Sequence, residues 1–314
     1  MFNKCRGSIF QELNGLRKAP APAEQIVGGS PAANCEFPSI VHLTISDRPK
    51  GSMGITFSNV CGGTLIDSTH VLTAAHCLEG LVRTVKVNIG SNLKSVPGPQ
   101  ATNAIQNVSH EHYVHQPYLI QNDIAILTLS RPVREEGCVK FATMANPGET
   151  FDHKRCIAAG WGSLFFRGHS PNELYKVALP AIPHDVCKRR SGMRIAEGIL
   201  CAGDFRPGGA SVCKGDSGGP LYCPRSNGEM VLAGVTSFGY KCETDVSAFS
   251  DVGYFRNWID RHTEGKVRKV KVNIGSNQKW ALGPQSTTAS SIVKHTGYGH
   301  TPYLTKSIGK RGKV

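Results

Sequence analysis

The stretch Cys213–Pro220 reads CKGDSGGP and places a single serine, Ser217, among glycines. A serine hydroxyl is a poor nucleophile until a neighbouring base removes its proton. The stretch Leu72–Cys77, LTAAHC, supplies His76 as a candidate base, because an imidazole has its pKa near neutral pH. The two motifs lie far apart in the chain, so His76 can serve as the base of Ser217 only in a fold that brings them together.

Three further motifs accompany this pair: NDIAIL around Asp123, IVGG at Ile26–Gly29 and AGWG at Ala159–Gly162. The full set, in this order, resembles the trypsin and chymotrypsin family of serine peptidases. The resemblance covers about residues 26–262. It implies a Ser-His-Asp triad that hydrolyses peptide bonds without a cofactor or a metal.

The resemblance gives each site residue a role. His76 is expected to be the general base, and Asp123 is expected to fix the tautomer of its imidazole and to stabilise the imidazolium. Ser217 is expected to attack the scissile carbonyl and to carry the acyl group. The N–H groups of Gly215 and Ser217 are expected to form the oxyanion hole.

The resemblance also implies activation by cleavage. In the family, the carboxylate corresponding to Asp216 pairs with the ammonium group of a new N-terminus, which would be Ile26 here. A buried pair of this kind can act as a switch, because either charge alone is costly. Family zymogens usually carry Arg or Lys before this segment, whereas Gln25 stands here. We therefore expect a different activating peptidase or self-processing.

The expected S1 pocket has Ser211 at its floor, six residues before the nucleophile, where trypsin-like members carry an aspartate. Its walls are expected from Ser237, Gly239 and Ser247. A hydroxyl at the floor disfavours Arg, and Gly239 leaves room for a large side chain. We expect cleavage after large hydrophobic or aromatic residues.

The chain has 11 cysteines. The family motifs imply four disulfides, Cys61–Cys77, Cys156–Cys223, Cys187–Cys201 and Cys213–Cys242. We favour Cys35–Cys138 as the fifth, and the rival is Cys5–Cys138, as in peptidases whose propeptide stays tethered. Four or five bridges indicate an oxidising compartment, so we expect a secreted, extracellular protein. The first 25 residues lack the apolar block of roughly 7–15 residues that a signal peptide carries.

The pattern between the motifs is typical of an all-β protein. Short apolar stretches such as PSIVHLTI, HVLTA and MVLAGVTSF recur at close intervals, separated by Gly, Pro, Asn and Asp. With the resemblance, this predicts two antiparallel six-stranded β-barrels with a C-terminal helix, the trypsin-like serine protease fold. The helix is expected in YFRNWIDRH, where Tyr254, Trp258 and Ile259 fall at helical spacing, with His262 as a further candidate for the same face.

Charge divides the chain into three parts. The net charge is +13, with 36 Lys plus Arg against 23 Asp plus Glu. Residues 263–314 carry ten basic side chains and one acid, whereas residues 26–262 carry 22 basic and 20 acidic ones. We expect residues 1–25 to be a propeptide with a linker, residues 26–262 to be the peptidase domain and residues 263–314 to be a poorly ordered basic tail.

The tail is a partial repeat. Residues 83–119 recur 185 positions later at 268–304, with 22 identities in 37 positions. The copy has Ile308 in the place of Asp123 and no counterpart of the histidine or serine motifs. We expect an orphan fragment and not a second active site, although a basic arm that binds anionic surfaces stays open.

Several classes of function are disfavoured. No apolar run approaches the length of about 18 residues needed to span a bilayer, and the near-neutral peptidase domain does not suggest a nucleic-acid binder. We expect protein or peptide substrates, protein protease inhibitors and an activating peptidase as partners of a monomer that carries a glycan at Asn107. The competing class is a catalytically silent homologue that acts as a binding protein.

Overall fold

The computed structural model describes residues 29–47, 57–117, 119–165, 167–192, 194–205, 209–239, 242 and 246–270. The chain divides into two compact units, Met1–Val270 and Lys271–Val314. The second unit, the expected propeptide at 1–25 and Ile26 lie outside the described residues. The part of the expected basic tail beyond Val270 lies outside them too. The elements and the candidate site all belong to the first unit.

Six antiparallel strands form the N-terminal barrel. They are β2 (Ile40–Asp47), β3 (Phe57–Leu65), β4 (His70–Thr73), β5 (Val82–Ile89), β6 (Thr102–Ser109) and β9 (Ala125–Leu129). The barrel closes in the order β2-β3-β4-β9-β6-β5. A hairpin of β7 (Val114–Gln116) and β8 (Leu119–Gln121) precedes β9.

Alternation along the strands fills this barrel. On β2, Val41, Leu43 and Ile45 are buried in the core, because successive side chains point to opposite faces. His42 and Thr44 are therefore directed to the outer face.

Six further strands form the C-terminal barrel. Their bounds are β10 (Arg155–Gly160), β11 (Tyr175–Ile182), β12 (Ile199–Ala202), β13 (Pro220–Pro224), β14 (Met230–Gly239) and β15 (Ser247–Asp251). They follow the order β11-β10-β13-β14-β15-β12, and β12 pairs back to β11. The short strand β1 (Ser30–Pro31) adds to the outside of β11. The predicted all-β class with two six-stranded barrels is confirmed.

The C-terminal helix α2 (Val252–Val270) packs against the N-terminal barrel. Its buried face is formed by Phe255, Trp258 and Ile259, and the indole N–H of Trp258 donates to Glu111 Oε2 at 2.7 Å. The predicted place of Tyr254 on this face is wrong, since its side chain is 56% exposed and Phe255 is buried instead.

Two helical features differ from expectation. Helix α2 continues eight residues past residue 262, the predicted end of the peptidase domain. A second helix, α1 (His184–Arg190), was not predicted, because its seven residues bury only Cys187 and so carry no amphipathic pattern. No helix among the described residues is long and apolar enough to cross a membrane.

Five disulfides hold the unit together. The structure contains Cys61–Cys77, Cys156–Cys223, Cys187–Cys201 and Cys213–Cys242, the four pairs that the resemblance implied. It also joins Cys35 to Cys138, the favoured fifth pair. The rival partner, Cys5, lies outside the described residues.

Phe249 provides a test of the second barrel. Its side chain is fully buried, and its Cβ lies so close to Gly234 that a Cβ on that glycine would be only 2.8 Å away. We expect Phe249→Ala to lower the free energy of unfolding by about 3–5 kcal/mol, since truncation leaves a cavity. Urea unfolding under non-reducing conditions measures this change.

The matched control is Ile105→Ala, because the side chain of Ile105 on β6 is 70% exposed. We expect a change within about 0.5 kcal/mol for this variant. Equal losses for both variants would contradict the packing of Phe249 in the core.

Candidate active site

His76 lies in a 3₁₀ turn, Ala75–Leu78, directly after β4. Its Nδ1 is 2.7 Å from Asp123 Oδ2, and its backbone N–H donates to Asp123 Oδ1 at 2.8 Å. The side chain of His76 is 20% exposed and that of Asp123 is completely buried. The carboxylate therefore fixes Nδ1 as the protonated nitrogen and leaves Nε2 to act as a base.

Asp123 lies two residues before β9 and reaches across to the second barrel. Ser237 on β14 donates its hydroxyl to Asp123 Oδ2 at 2.5 Å, and Ser250 on β15 donates its hydroxyl to the main-chain oxygen of Asp123 at 2.6 Å. Side chains of both barrels thus hold the carboxylate in place.

Burial and hydrogen bonding act in opposite directions on this pair. Burial alone would raise the pKa of Asp123, but the hydrogen bond and charge of His76, together with the Ser237 hydroxyl, hold it below its ordinary value. Burial alone would lower the pKa of His76, but the bond to Asp123 and its charge, with a contribution from Glu79, raise it above its ordinary value. The pair is thus suited to stabilising an imidazolium.

Ser217 stands where the two barrels touch through glycines. The N–H of Gly62 on β3 donates to the Ser217 carbonyl at 2.7 Å. A Cβ on Gly62 would lie 2.8 Å from Gly219 Cα, so only glycine allows this approach. The seam brings the serine loop beside the barrel that carries His76.

Ser217 lines a cleft with a volume of about 570 Å³. The cleft is also lined by Ser163, Arg167, Gly168, Val212, Cys213, Lys214, Thr236, Ser237, Phe238, Gly239 and Cys242. Among the described residues, no hydrogen bond joins Ser217 Oγ to His76 Nε2. Catalytic hydrogen bonds are often long without substrate and tighten in the complex. The missing bond is therefore compatible with Ser217 as nucleophile and His76 as its base.

Gly215 has a φ of +102°, a conformation that L side chains rarely adopt. A Cβ there would lie 3.0 Å from Gly162 Cα. Gly215 can therefore adopt this turn beside Ser217 because it has no side chain. An oxyanion hole built from backbone N–H groups needs such an unobstructed approach to them.

Asp216 is buried against Gly160 and Gly162 and accepts N–H groups from Gly162 and Cys213 at 2.8 and 2.9 Å. Burial raises the pKa of its carboxyl to about 6, although both N–H groups lower it. A buried acid with a raised pKa lowers the stability of the fold as pH rises from its ordinary pKa of 3.8 to about 6, because its ionised form is penalised in the fold. A cation beside Asp216 would remove this penalty.

The expected S1 residues fall into two groups. Ser237 and Gly239 line the cleft, although the Ser237 hydroxyl is directed to Asp123. Ser211 and Ser247 are each 1% exposed and are not among the residues that line it. The Ser247 hydroxyl accepts the N–H of Val212, a lining residue, at 3.2 Å, so both serines lie directly beside the cleft wall.

Two cationic residues of the cleft were missed by sequence reasoning. Lys214 is the second residue of CKGDSGGP, so its place next to Gly215 could have been found from the motif. Arg167 comes from the loop after Trp161, and no local pattern distinguishes it from a surface arginine.

A metal does not fit the one group of three ligand-type side chains found among the described residues. The group is Cys61, His76 and Cys77, and its two cysteines form a disulfide. Metal-binding cysteines act as thiolates, which a disulfide cannot supply.

Comparison with known proteins agrees with this geometry. The Trypsin family model matches residues 26–259. Chymotrypsin-C of Bos taurus is 30% identical over 268 residues, which are 82% of this chain and 93% of that protein. Chymotrypsin-like elastase family member 3B of Homo sapiens is 33% identical over 253 residues, 76% of this chain and 89% of that protein.

Transmembrane protease serine 9 of Rattus norvegicus is 33% identical over 238 residues, which cover 75% of this chain but 21% of that protein. The match thus covers only one part of transmembrane protease serine 9, but nearly the whole length of chymotrypsin-C and of elastase family member 3B. With its two barrels, its buried Asp123–His76 pair and its serine loop at the seam, this chain belongs to the trypsin family of serine endopeptidases.

Proposed function

We propose that this chain is a secreted serine endopeptidase that cleaves after large hydrophobic or aromatic residues and becomes active on cleavage before Ile26. The observation that carries the proposal is the hydrogen-bonded pair of Asp123 and His76 beside the cleft that Ser217 lines.

In the proposed reaction, His76 Nε2 takes the proton of the Ser217 hydroxyl as its oxygen attacks the scissile carbonyl. Asp123 stabilises the imidazolium that forms. The N–H groups of Gly215 and Ser217 bind the developing oxyanion, and one such donor contributes about 3–4 kcal/mol to the transition state. His76 then gives its proton to the leaving amine. Water next attacks the acyl group while His76 takes a proton from it, and His76 returns that proton to Ser217 Oγ as the acid product leaves.

The lining of the cleft supports a hydrophobic P1 residue. Val212, Phe238 and Gly239 present apolar surface, while Arg167 and Lys214 contribute positive charge. The described lining contains no carboxylate, and a buried arginine side chain without a counter-ion is costly. A P1 Phe, Tyr, Leu or Met avoids that cost.

The environment of Asp216 supports activation by cleavage. Its carboxyl is fully buried, and burial raises its pKa to about 6, so a neighbouring ammonium group would stabilise its ionised form. In our proposal the new N-terminus of Ile26 supplies that ammonium group, and the serine loop then takes its active form.

Secretion is supported by the five disulfides, which persist in oxidising compartments. Asn107 lies on β6 with an exposed side chain, where a glycan could be attached. We further propose a monomer whose cleft also accepts protein protease inhibitors.

The first prediction of the proposed function concerns the nucleophile. After cleavage at Ile26, a fluorophosphonate should label Ser217, because only a serine activated by its base reacts with this reagent. Ser217→Ala should abolish labelling and lower kcat by about 10⁶-fold. Labelling is followed by mass spectrometry of the modified peptide, with Ser163→Ala, another serine of the cleft, as control.

Absence of labelling in correctly cleaved material would favour the catalytically silent homologue. Labelling that persists in Ser217→Ala would assign the nucleophile to another residue.

The second prediction concerns specificity. Peptides that differ only at P1 should give kcat/KM at least about tenfold higher for Phe, Tyr, Leu or Met than for Arg, since an unpaired cation would be desolvated. Initial rates with a matched peptide set measure the ratio. Efficient turnover of the Arg peptide with none of the Phe peptide would refute the proposed preference.

The third prediction concerns activation. N-terminal sequencing of fully active enzyme should begin at Ile26. In this sequence the basic residue nearest to the bond before Ile26 on its N-terminal side is Lys18, so a trypsin-like peptidase has no cleavage site there. Gln25→Arg should therefore make the zymogen activatable by such a peptidase. Asp216→Asn, cleaved at the same bond, should lose about 100-fold or more in activity, because the ammonium group of Ile26 is left unpaired. Full activity with any other N-terminus would contradict the switch.

The fourth prediction concerns pH. Only neutral His76 can act as a base, so kcat/KM should rise with pH as His76 loses its proton. Glu79 contributes to the raised pKa of His76. Glu79→Gln should therefore move the acid limb of the profile to lower pH by about 0.2–0.5 units. Glu136→Gln, a neutralisation at another exposed site, should leave it unchanged, and a shift to higher pH in Glu79→Gln would refute the assignment.

A further inference from the structure

A second cavity, of about 340 Å³, lies on the outer face of the N-terminal barrel. Strand register places its lining together. Thr44 on β2 pairs with Lys86 on β5, which pairs with Asn103 on β6, and His42 pairs with Asn88 in the next row. Three adjacent strands thus direct polar side chains to one place outside the core.

The loop after β5 closes over this face and is held by Asn88. The Asn88 amide donates to the carbonyls of Leu93 and Val96 at 3.2 and 3.1 Å and accepts the N–H of Gly98 at 2.6 Å. Lys94 on this loop is fixed by a hydrogen bond from Nζ to the Ser170 carbonyl at 3.1 Å. The cavity wall is therefore formed in advance of any ligand.

His42 is the most unusual side chain of the lining. It is 7% exposed, and its ring lies edge-on to Trp161 with the ring centroids 5.4 Å apart. No hydrogen bond joins its ring nitrogens to any other described residue. Burial, followed by the charge of Lys94, lowers the pKa of His42 to about 4, so at neutral pH the ring offers one donor and one acceptor. Buried polar groups usually have partners, so the unpartnered ring of His42 is a candidate hydrogen-bonding group for a ligand in the cavity.

Charge defines the kind of partner. Lys86 and Lys94 both line the cavity, and burial lowers the pKa of Lys94, which means that its ammonium group is partly stripped of water. The described lining contains no acid, and the sequence has none from Ser91 to His110. An anion in the cavity would therefore be attracted by the two lysines, and no carboxylate of the described lining would repel it.

We propose that this cavity is a binding site for a sulfated saccharide. The two lysines would hold the sulfate group, while His42, Thr44 and Asn103 would exchange hydrogen bonds with sugar hydroxyls. The side chains of Thr102 and Ser95 add further hydroxyls at the rim. Mixed cationic and neutral polar groups of this kind suit a sugar ester better than a bare ion.

The test uses the full chain labelled with 5-fluorotryptophan. The sequence has three tryptophans, Trp161, Trp258 and Trp280, so ¹⁹F NMR gives three signals, and that of Trp161 reports on the neighbouring His42. Glucose 6-sulfate, sodium sulfate and glucose are titrated at constant ionic strength. We expect a saturable shift of the Trp161 signal with glucose 6-sulfate, at least tenfold tighter than with sulfate and absent with glucose.

The matched control comes from the repeat. Lys86 and Lys94 correspond to Lys271 and Lys279 in the copy, 185 positions later. Lys86→Ala/Lys94→Ala should weaken binding of glucose 6-sulfate at least tenfold, whereas Lys271→Ala/Lys279→Ala should change it less than twofold. Lys86→Ala alone, which alters an exposed side chain, should weaken binding severalfold if the double variant does not fold.

Three outcomes would overturn the proposal. Unchanged affinity in the cavity variants would place the ligand elsewhere. Equal losses in the cavity and repeat variants would indicate non-specific attraction to positive charge. Equal affinity for sulfate and glucose 6-sulfate would exclude a saccharide site.

Discussion

The carboxylate of Asp123 is the constraint on which the rest of the site depends. It is completely buried, and an ionised group there is tolerated only when its oxygens are fully hydrogen-bonded. Its partners come from the turn that carries His76 and from β14 of the other barrel, and its main-chain oxygen is held by β15. Satisfying one buried charge therefore fixes the histidine, its tautomer and the relative position of two barrels.

Glycines solve the complementary problem on the serine side. The Gly62 contact with the serine loop involves backbone alone, and any side chain there would separate the barrels. Gly160 and Gly162 likewise leave the space that the Asp216 carboxyl fills. The motif glycines thus set distances between elements, while the titratable residues set the chemistry.

Short motifs made much of this arrangement predictable, because each residue of the expected triad lies in a short motif of its own, and the glycines beside Ser217 belong to the same motif as the serine. Three-dimensional packing decided the rest. Tyr254 and Phe255 are adjacent aromatics, and the sequence could not show which one the helix buries, since that depends on the phase set by docking on the first barrel. Arg167 reaches the cleft only through the path of its loop.

The internal repeat shows how far local sequence can mislead. Arg83–Val85, RTV, belongs to strand β5, whereas its counterpart Arg268–Val270, RKV, ends helix α2. Strand β5 exists because β2 and β6 pair with its two edges, and its apolar residues enter a core made by other strands. The cavity has the same dependence, since His42 and Thr44 come from β2, which the repeat does not include. The copy carries the two lysines but not β2, the strand that completes the proposed site.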